Sequence, residues 1–232
     1  MKKIGFIVFA VAVVIGVTVA SLFSWGKATE NIVNFKVGFD AEKGSGNVAS
    51  EKREVGEFSK IDVSHVFQVE VIAQSEYAVE VEADDNLLQF IKTEVRGGTL
   101  HIDLDQRVKT RNGMRVRVSA PNIDRVQASG ASRVDVSNLR NGEFAVDTSG
   151  ASKITAAGQT GNLIVDVSGA SQLDLSGLSA ATANIDASGA SKVNVNVANE
   201  LIADASGASR ITYAGSPKVS KSTSGASSVS QR

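Results

Sequence analysis

From residue 121 onward, apolar and polar residues alternate with a period of two. Val134 and Val136 flank Asp135, Leu173 and Leu175 flank Asp174, Val193 and Val195 flank Asn194, and Ile211 and Tyr213 flank Thr212. Lys153-Ile154-Thr155-Ala156 follows the same rule, as do Phe144-Ala145-Val146-Asp147-Thr148, Leu163-Ile164-Val165-Asp166-Val167 and Leu201-Ile202-Ala203-Asp204-Ala205. A period of two puts alternate side chains on opposite faces of a strand. Helical repeats of this size need apolar residues three and four apart, and that spacing is missing. The pattern predicts strands.

Between the strands the tetrapeptide Ser-Gly-Ala-Ser returns six times, beginning at Ser129, Ser149, Ser168, Ser188, Ser206 and Ser224, in steps of 20, 19, 20, 18 and 18 residues. A fixed period near twenty is the mark of a solenoid, in which each repeat is one coil stacked on the last. The chain is therefore expected to be all-β: a right-handed β-solenoid, resembling a single-stranded β-helix, whose coils bury a column of Val, Ile and Leu. Gly130, Gly150, Gly169, Gly189, Gly207 and Gly225 continue the inward phase, so each is expected where a side chain has no room or where φ/ψ is unusual. Small Ser and Ala beside them suit a corner. A Gly-rich phosphate cradle would need a helix and a Lys after it, and nothing helical follows. In the sixth repeat Lys221 stands where Val126, Val146, Val165, Ile185 and Ala203 stand earlier. Terminal repeats turn polar to protect an open end, so this coil is expected to be a frayed cap.

Upstream, residues 61–72 read as one strand, with Ile61, Val63, Phe67, Val69 and Val71 on one face. His65 falls in the apolar phase and is expected to be half-buried on a backbone partner. Tyr77, Val79 and Val81 continue a second strand. Asp84-Asp85-Asn86 before Leu87, Leu88, Phe90 and Ile91 predicts a capped helical turn near 85–92; the alternating oxygen ligands of a Ca²⁺ loop are missing. Gly97-Gly98 predicts a hairpin between 93–95 and 100–104, with His101 outward and solvated. Residues 114–120 alternate again, Arg115 and Arg117 outward, and Pro121 ends the run. Residues 27–50 read as a linker.

Lys2 and Lys3 precede an uncharged apolar run over 4–23, which reads as an export signal. Ser24 and Gly26 suit cleavage after Gly26, the favoured alternative, but the run also reaches the ~20 residues that span a bilayer as an uncleaved anchor. Either way the remainder is expected outside the cytoplasm, in the periplasm or on the cell surface, touching the membrane only through this segment if it is retained. The formal net charge of −1 excludes a general basic footprint, so no nucleic-acid partner is expected. The chain has no cysteine, hence no disulfide or thiolate site, and its two His are far apart in sequence. No metal or other cofactor is expected.

Several stretches together resemble the bacterial head GIN domain. They are Arg53-Glu54-Val55 with Phe58 and Ile61-Asp62-Val63, then Tyr77-Ala78-Val79-Glu80-Val81-Glu82-Ala83-Asp84-Asp85-Asn86-Leu87-Leu88. Gly97-Gly98-Thr99-Leu100, Val118-Ser119-Ala120-Pro121 and the recurrent tetrapeptide complete the resemblance, which covers residues 51–229. It implies a β-solenoid and an adhesin of the autotransporter type, and it brings no catalytic residues. Residues 51–120 then supply the first coils and hairpin, and 121–232 the repeats. No stretch remains for a membrane barrel with strands of ~10 residues, so a small exported module is expected.

The repeats place Asp147, Asp166, Asp186 and Asp204 at one outward position. Arg133, Lys153, Lys192 and Arg210 share another. Stacked at ~4.8 Å, each set forms a column. Like charges there repel by about 1 kcal/mol per neighbour pair in water, less if the two columns meet across a bent corner. These columns are the candidate binding face, for a surface polymer, a glycan or an envelope protein; solvated ladders that keep the stack soluble are the plainer alternative. The competing function is a β-helix carbohydrate-active enzyme, a polysaccharide lyase or hydrolase. Such an enzyme needs paired carboxylates in a cleft, commonly on long inserted loops, whereas these coils are uniform with short turns. The sequence therefore points to a non-catalytic adhesion, binding or envelope-structural module.

Overall fold

The computed structural model describes residues 41–232; the expected export signal or anchor and residues 27–40 of the expected linker lie outside them. The chain is a β-solenoid. Four long strands, Arg133–Thr148, Lys153–Val167, Gln172–Ala187 and Lys192–Ala205, each run from one tetrapeptide to the next. Each pairs in parallel with its successor, so that Val134, Ile154, Leu173, Val193, Ile211 and Val229 stand in one register. All six are buried. A second inner column, Phe144, Leu163, Ala183, Leu201 and Val219, climbs the wall before the corner. Alternation converts directly into this core, because a parallel stack repeats the same phase at the same height.

The tetrapeptide is the corner between two walls. Its backbone forms a ladder of its own: Ala151 N–H donates to the Gly130 carbonyl at 2.8 Å, Ala170 to Gly150 at 2.8 Å, and Lys153 to Ser132 at 2.9 Å. The last Ser turns inward. Ser132, Ser152, Ser171, Ser191 and Ser209 are at most 2% exposed, and the Ser132, Ser152 and Ser171 hydroxyls donate to the carbonyl of the first Ser in their own corner at 3.2–3.3 Å. In these three corners that acceptor satisfies the buried hydroxyl; Ser209 donates instead to the Ala187 carbonyl at 3.0 Å, and the Ser191 hydroxyl has no partner among the described residues.

The first coils depart from the expected strands. Residues 61–72 are two strands, Lys60–Val63 and Gln68–Ala73, joined by a corner with His65 at φ +64°. This corner sits beneath the Gly130 corner, whose Ala131 N–H donates to the His65 carbonyl at 2.9 Å. The corner holds an even number of residues, so the alternation passes through it unbroken and a bent coil reads as a straight strand. The hairpin is present, Ile91–Arg96 against Thr99–Leu104, with Gly97 and Gly98 both at positive φ. Thr99–Leu104 then lies parallel to Lys60–Val63. Arg115–Ala120 pairs in parallel with Gln68–Ala73 and antiparallel with Ala78–Asp84, which in turn holds Val48–Arg53. The end of the expected linker is thus structured, as the strands Glu42–Lys43 and Val48–Arg53.

Two further expectations are corrected. The expected short helical turn is present, as the 3₁₀ turn Leu88–Phe90, but it has no side-chain cap. Asp84 does not cap it because both carboxylate oxygens are committed elsewhere, to Thr110 and Asn112. The last coil is not frayed: Lys218–Thr223 and Ser228–Gln231 each pair in register with the coil below. Lys221 does stand over Ala203 in the inner phase, and its Nζ donates to the Val229 carbonyl at 3.1 Å.

Candidate binding face

On the wall before the corner, the outward position two residues ahead of the tetrapeptide forms an unbroken ladder. Asp147, Asp166, Asp186 and Asp204 are direct partners from coil to coil. The ladder is longer than the repeats alone indicate, because Gln127, Asp62 and His101 continue it toward the first coil and Ser222 ends it. Asp62 escaped the sequence reading because its coil lacks the tetrapeptide that marks the position.

The ladder is anchored at one end and open at the other. Arg125 Nη1 lies 2.7 Å from Asp147 Oδ2, and His101 Nδ1 lies 3.1 Å from Asp62 Oδ2. Asp166, Asp186 and Asp204 are exposed and take no ion-pair partner among the described residues. A shallow groove of about 340 Å³ runs along the anchored end, lined by Asp62, Arg125, Gln127, Ser129, Asp147 and Asp166. His65 stands in the corner below, exposed, with Nδ1 2.6 Å from Asp103 Oδ1. His65 departs from its expected setting, whereas His101 stands outward as expected. His65 is exposed and pairs with a carboxylate, since its positive φ turns the side chain out of the core; His101 is partly covered by the same ladder that carries Asp62.

Across the corner, Arg133, Lys153, Lys192 and Arg210 form the second ladder, with Gln172 between Lys153 and Lys192. Among the described residues no ion pair joins them to the aspartates, so the corner separates the two columns and does not neutralise them. The six glycines lie between. Their φ angles run from +69° to +78°, and a Cβ on any of them would stand 2.4–2.7 Å from a carbonyl oxygen of the coil below. They do not point into the core, however: Gly130 and its equivalents are exposed, and the inward turn falls to the last Ser.

The chemistry this face offers is that of a spaced row of acceptors beside a spaced row of donors. The outward carboxylates line an open flank and do not confront one another across a cleft. Among the described residues no three His, Asp or Glu are grouped to hold a metal ion.

Residues 57–217 match the family described as "Putative auto-transporter adhesin, head GIN domain". The chain belongs to this family. The same fold recurs in a crystal structure of "a putative adhesin" from Bacteroides fragilis NCTC 9343, at 20% identity and TM-score 0.66, covering 82% of this chain and 98% of that one. It recurs in a "putative lipid binding protein" from Parabacteroides distasonis ATCC 8503, at 18% identity and TM-score 0.54, covering 83% and 100%. A "putative adhesin" from Parabacteroides merdae ATCC 43184 is similar at 16% identity and TM-score 0.53, over 83% and 99%. At these identities the likeness is one of fold. A comparison with the curated proteins finds no match. In this head GIN domain the first five tetrapeptide corners and the charged residues of both ladders belong to the matched region.

Proposed function

We propose that this head GIN domain is an exported, non-catalytic adhesion module that holds an extended polar polymer against the Asp62–Asp204 flank, outside the cytoplasm. The observation that carries the reading is the in-register row Asp147, Asp166, Asp186 and Asp204, uncovered over its last three members. A row of like groups repeating at ~4.8 Å favours a ligand that also repeats, such as a glycan, whose hydroxyls donate to carboxylates. Membership in a family described as adhesins supports the same direction. Hydrolysis of a glycan needs two carboxylates set about 5–10 Å apart on either side of the scissile bond; these lie side by side on one face. The test is binding of the full chain to an array of surface glycans and matrix proteins, beside the double variant Asp166→Asn/Asp186→Asn. Binding lost in the variant, with its melting temperature kept, is expected. Equal binding by both would remove the flank from the account.

A further inference from the structure

A second cluster of charge lies away from both ladders, where the described chain begins. Glu42–Lys43 pairs in parallel with Val108–Lys109, which sets Lys43 directly beside Lys109. Arg111 follows on the same segment, and the three cations line one cavity of about 480 Å³ together with Gly44, Thr110 and Asp84. None of the three is ion-paired among the described residues. Elsewhere in the first coils Arg53, Lys92, Arg96, Arg115 and Arg117 each take a Glu or Asp.

The one carboxylate of the cavity offsets only one of these three charges. Asp84 is 1% exposed; its Oδ2 accepts from Thr110 Oγ1 at 2.7 Å and its Oδ1 from Asn112 Nδ2 at 2.6 Å. Both oxygens are thus used to tie the two segments together. Gly44 is pressed against this carboxylate, where a Cβ would overlap Oδ2 at 1.8 Å. Ser45 N–H donates to Asn86 Oδ1 at 2.8 Å, and Asn86 Nδ2 donates to the Lys43 carbonyl at 2.8 Å. The cavity wall is therefore a fixed polar frame, and it carries three cations against one carboxylate.

We propose that this cavity is a binding site for an oxyanion, a phosphate group held by Lys43, Lys109 and Arg111. The Arg fork matches two phosphate oxygens and the two lysines act as point charges. The volume suits a phosphate that carries a sugar or glycerol. The site is independent of the aspartate flank, so either can fail without the other.

The experiment titrates the full chain with inorganic phosphate and with glycerol phosphate, following calorimetric binding and melting temperature. Both probes should bind and raise the melting temperature, and added salt should weaken them. Lys109→Gln/Arg111→Gln should weaken binding about tenfold or more, while Arg111→Lys, which keeps charge but loses the fork, should weaken it less. Without ligand, Lys109→Gln should leave the melting temperature unchanged or raise it, because a like-charge neighbour is removed. Lys218→Gln, on the last coil, should have no effect. A vesicle arm separates the sources: binding to phosphatidylglycerol but not phosphatidylcholine vesicles that depends on Lys109 and Arg111 assigns a lipid headgroup. Binding to glycerol phosphate with no such vesicle dependence assigns a soluble phosphorylated ligand. No binding of either probe, or binding that the Gln variants leave intact, overturns the proposal.

Discussion

Gly150 lies over Gly130 so closely that a Cβ on Gly150 would stand 2.5 Å from the Gly130 carbonyl oxygen. Contact at this distance is forced by the corner hydrogen bond between Ala151 N–H and that same carbonyl. The glycines are therefore required twice, for a φ near +75° and for the stacking of coils. A comparison separates the two demands. Gly98→Ala meets only the first, since nothing lies within 4 Å of its Cβ, and should cost about 1–2 kcal/mol. Gly169→Ala meets both and should cost clearly more, measured by denaturant unfolding. Equal costs would show that the coils separate freely at the corner.

Lys221 is the polar plug of the last coil. It takes the place of an inner apolar residue, above Ala203, and covers the end by donating to the Val229 carbonyl. Replacing it by Val should extend the apolar column to the open edge, where unpaired strand groups already invite another chain. The expected result for Lys221→Val is concentration-dependent self-association in light scattering, with the monomer's melting temperature little changed. A variant that stays monomeric at high concentration would assign end protection to other residues.

Asp84 ties the first coils to the cavity wall, and its charge is set by its donors. The hydrogen bond from Thr110 foremost, then those from Asn112 and the Gly46 backbone, hold its pKa below the ordinary aspartate value of 3.8, against the opposing effect of burial. A folded-state pKa below the unfolded one gives stability that is complete above the unfolded value and is lost as pH falls through the folded value. Thr110→Val removes the largest cause. Its melting temperature should lie below that of the wild type at pH 7, and the gap should narrow below about pH 3.8. A gap that stays constant down to pH 2 would mean that Thr110 acts through packing alone.

The aspartate flank carries like charges at adjacent rungs; among the described residues Asp147 is ion-paired to Arg125 and Asp62 is hydrogen-bonded to His101. Asp186→Asn removes repulsion from both Asp166 and Asp204. Stability should rise by less than about 1 kcal/mol at low salt and the gain should vanish near 1 M salt. A loss of stability would show that Asp186 makes a contact the solenoid needs.

The repeats were readable because a parallel stack returns the same residue to the same height. The tetrapeptide fixed the phase, and the alternation beside it fixed which side chains face the core. Reading stopped where the marker stopped. Ser64-His65-Val66-Phe67 makes the same corner as Ser129-Gly130-Ala131-Ser132 but shares only its first residue, so the corner was missed, and Asp62 with it. The glycines were placed one face wrong for a related reason: period two was carried through a corner, where the backbone leaves the strand region. Asp84 read as a cap because acidic residues before an apolar run are the local sign of one, while its partners Thr110 and Asn112 come from a distant loop. The Lys43–Lys109 juxtaposition has no sequence signal at all, since two strands of two residues create it.

The aspartate flank is proposed to bind its ligand without turning it over. The direct measurement incubates the full chain with whichever glycan it retains on the array, then recovers that glycan for mass spectrometry beside a binding titration. The prediction is an intact glycan after long incubation, with binding present in the wild type and lost in Asp166→Asn/Asp186→Asn. A shortened glycan produced by the wild type and absent with the double variant would contradict it, and would make the flank a catalytic one.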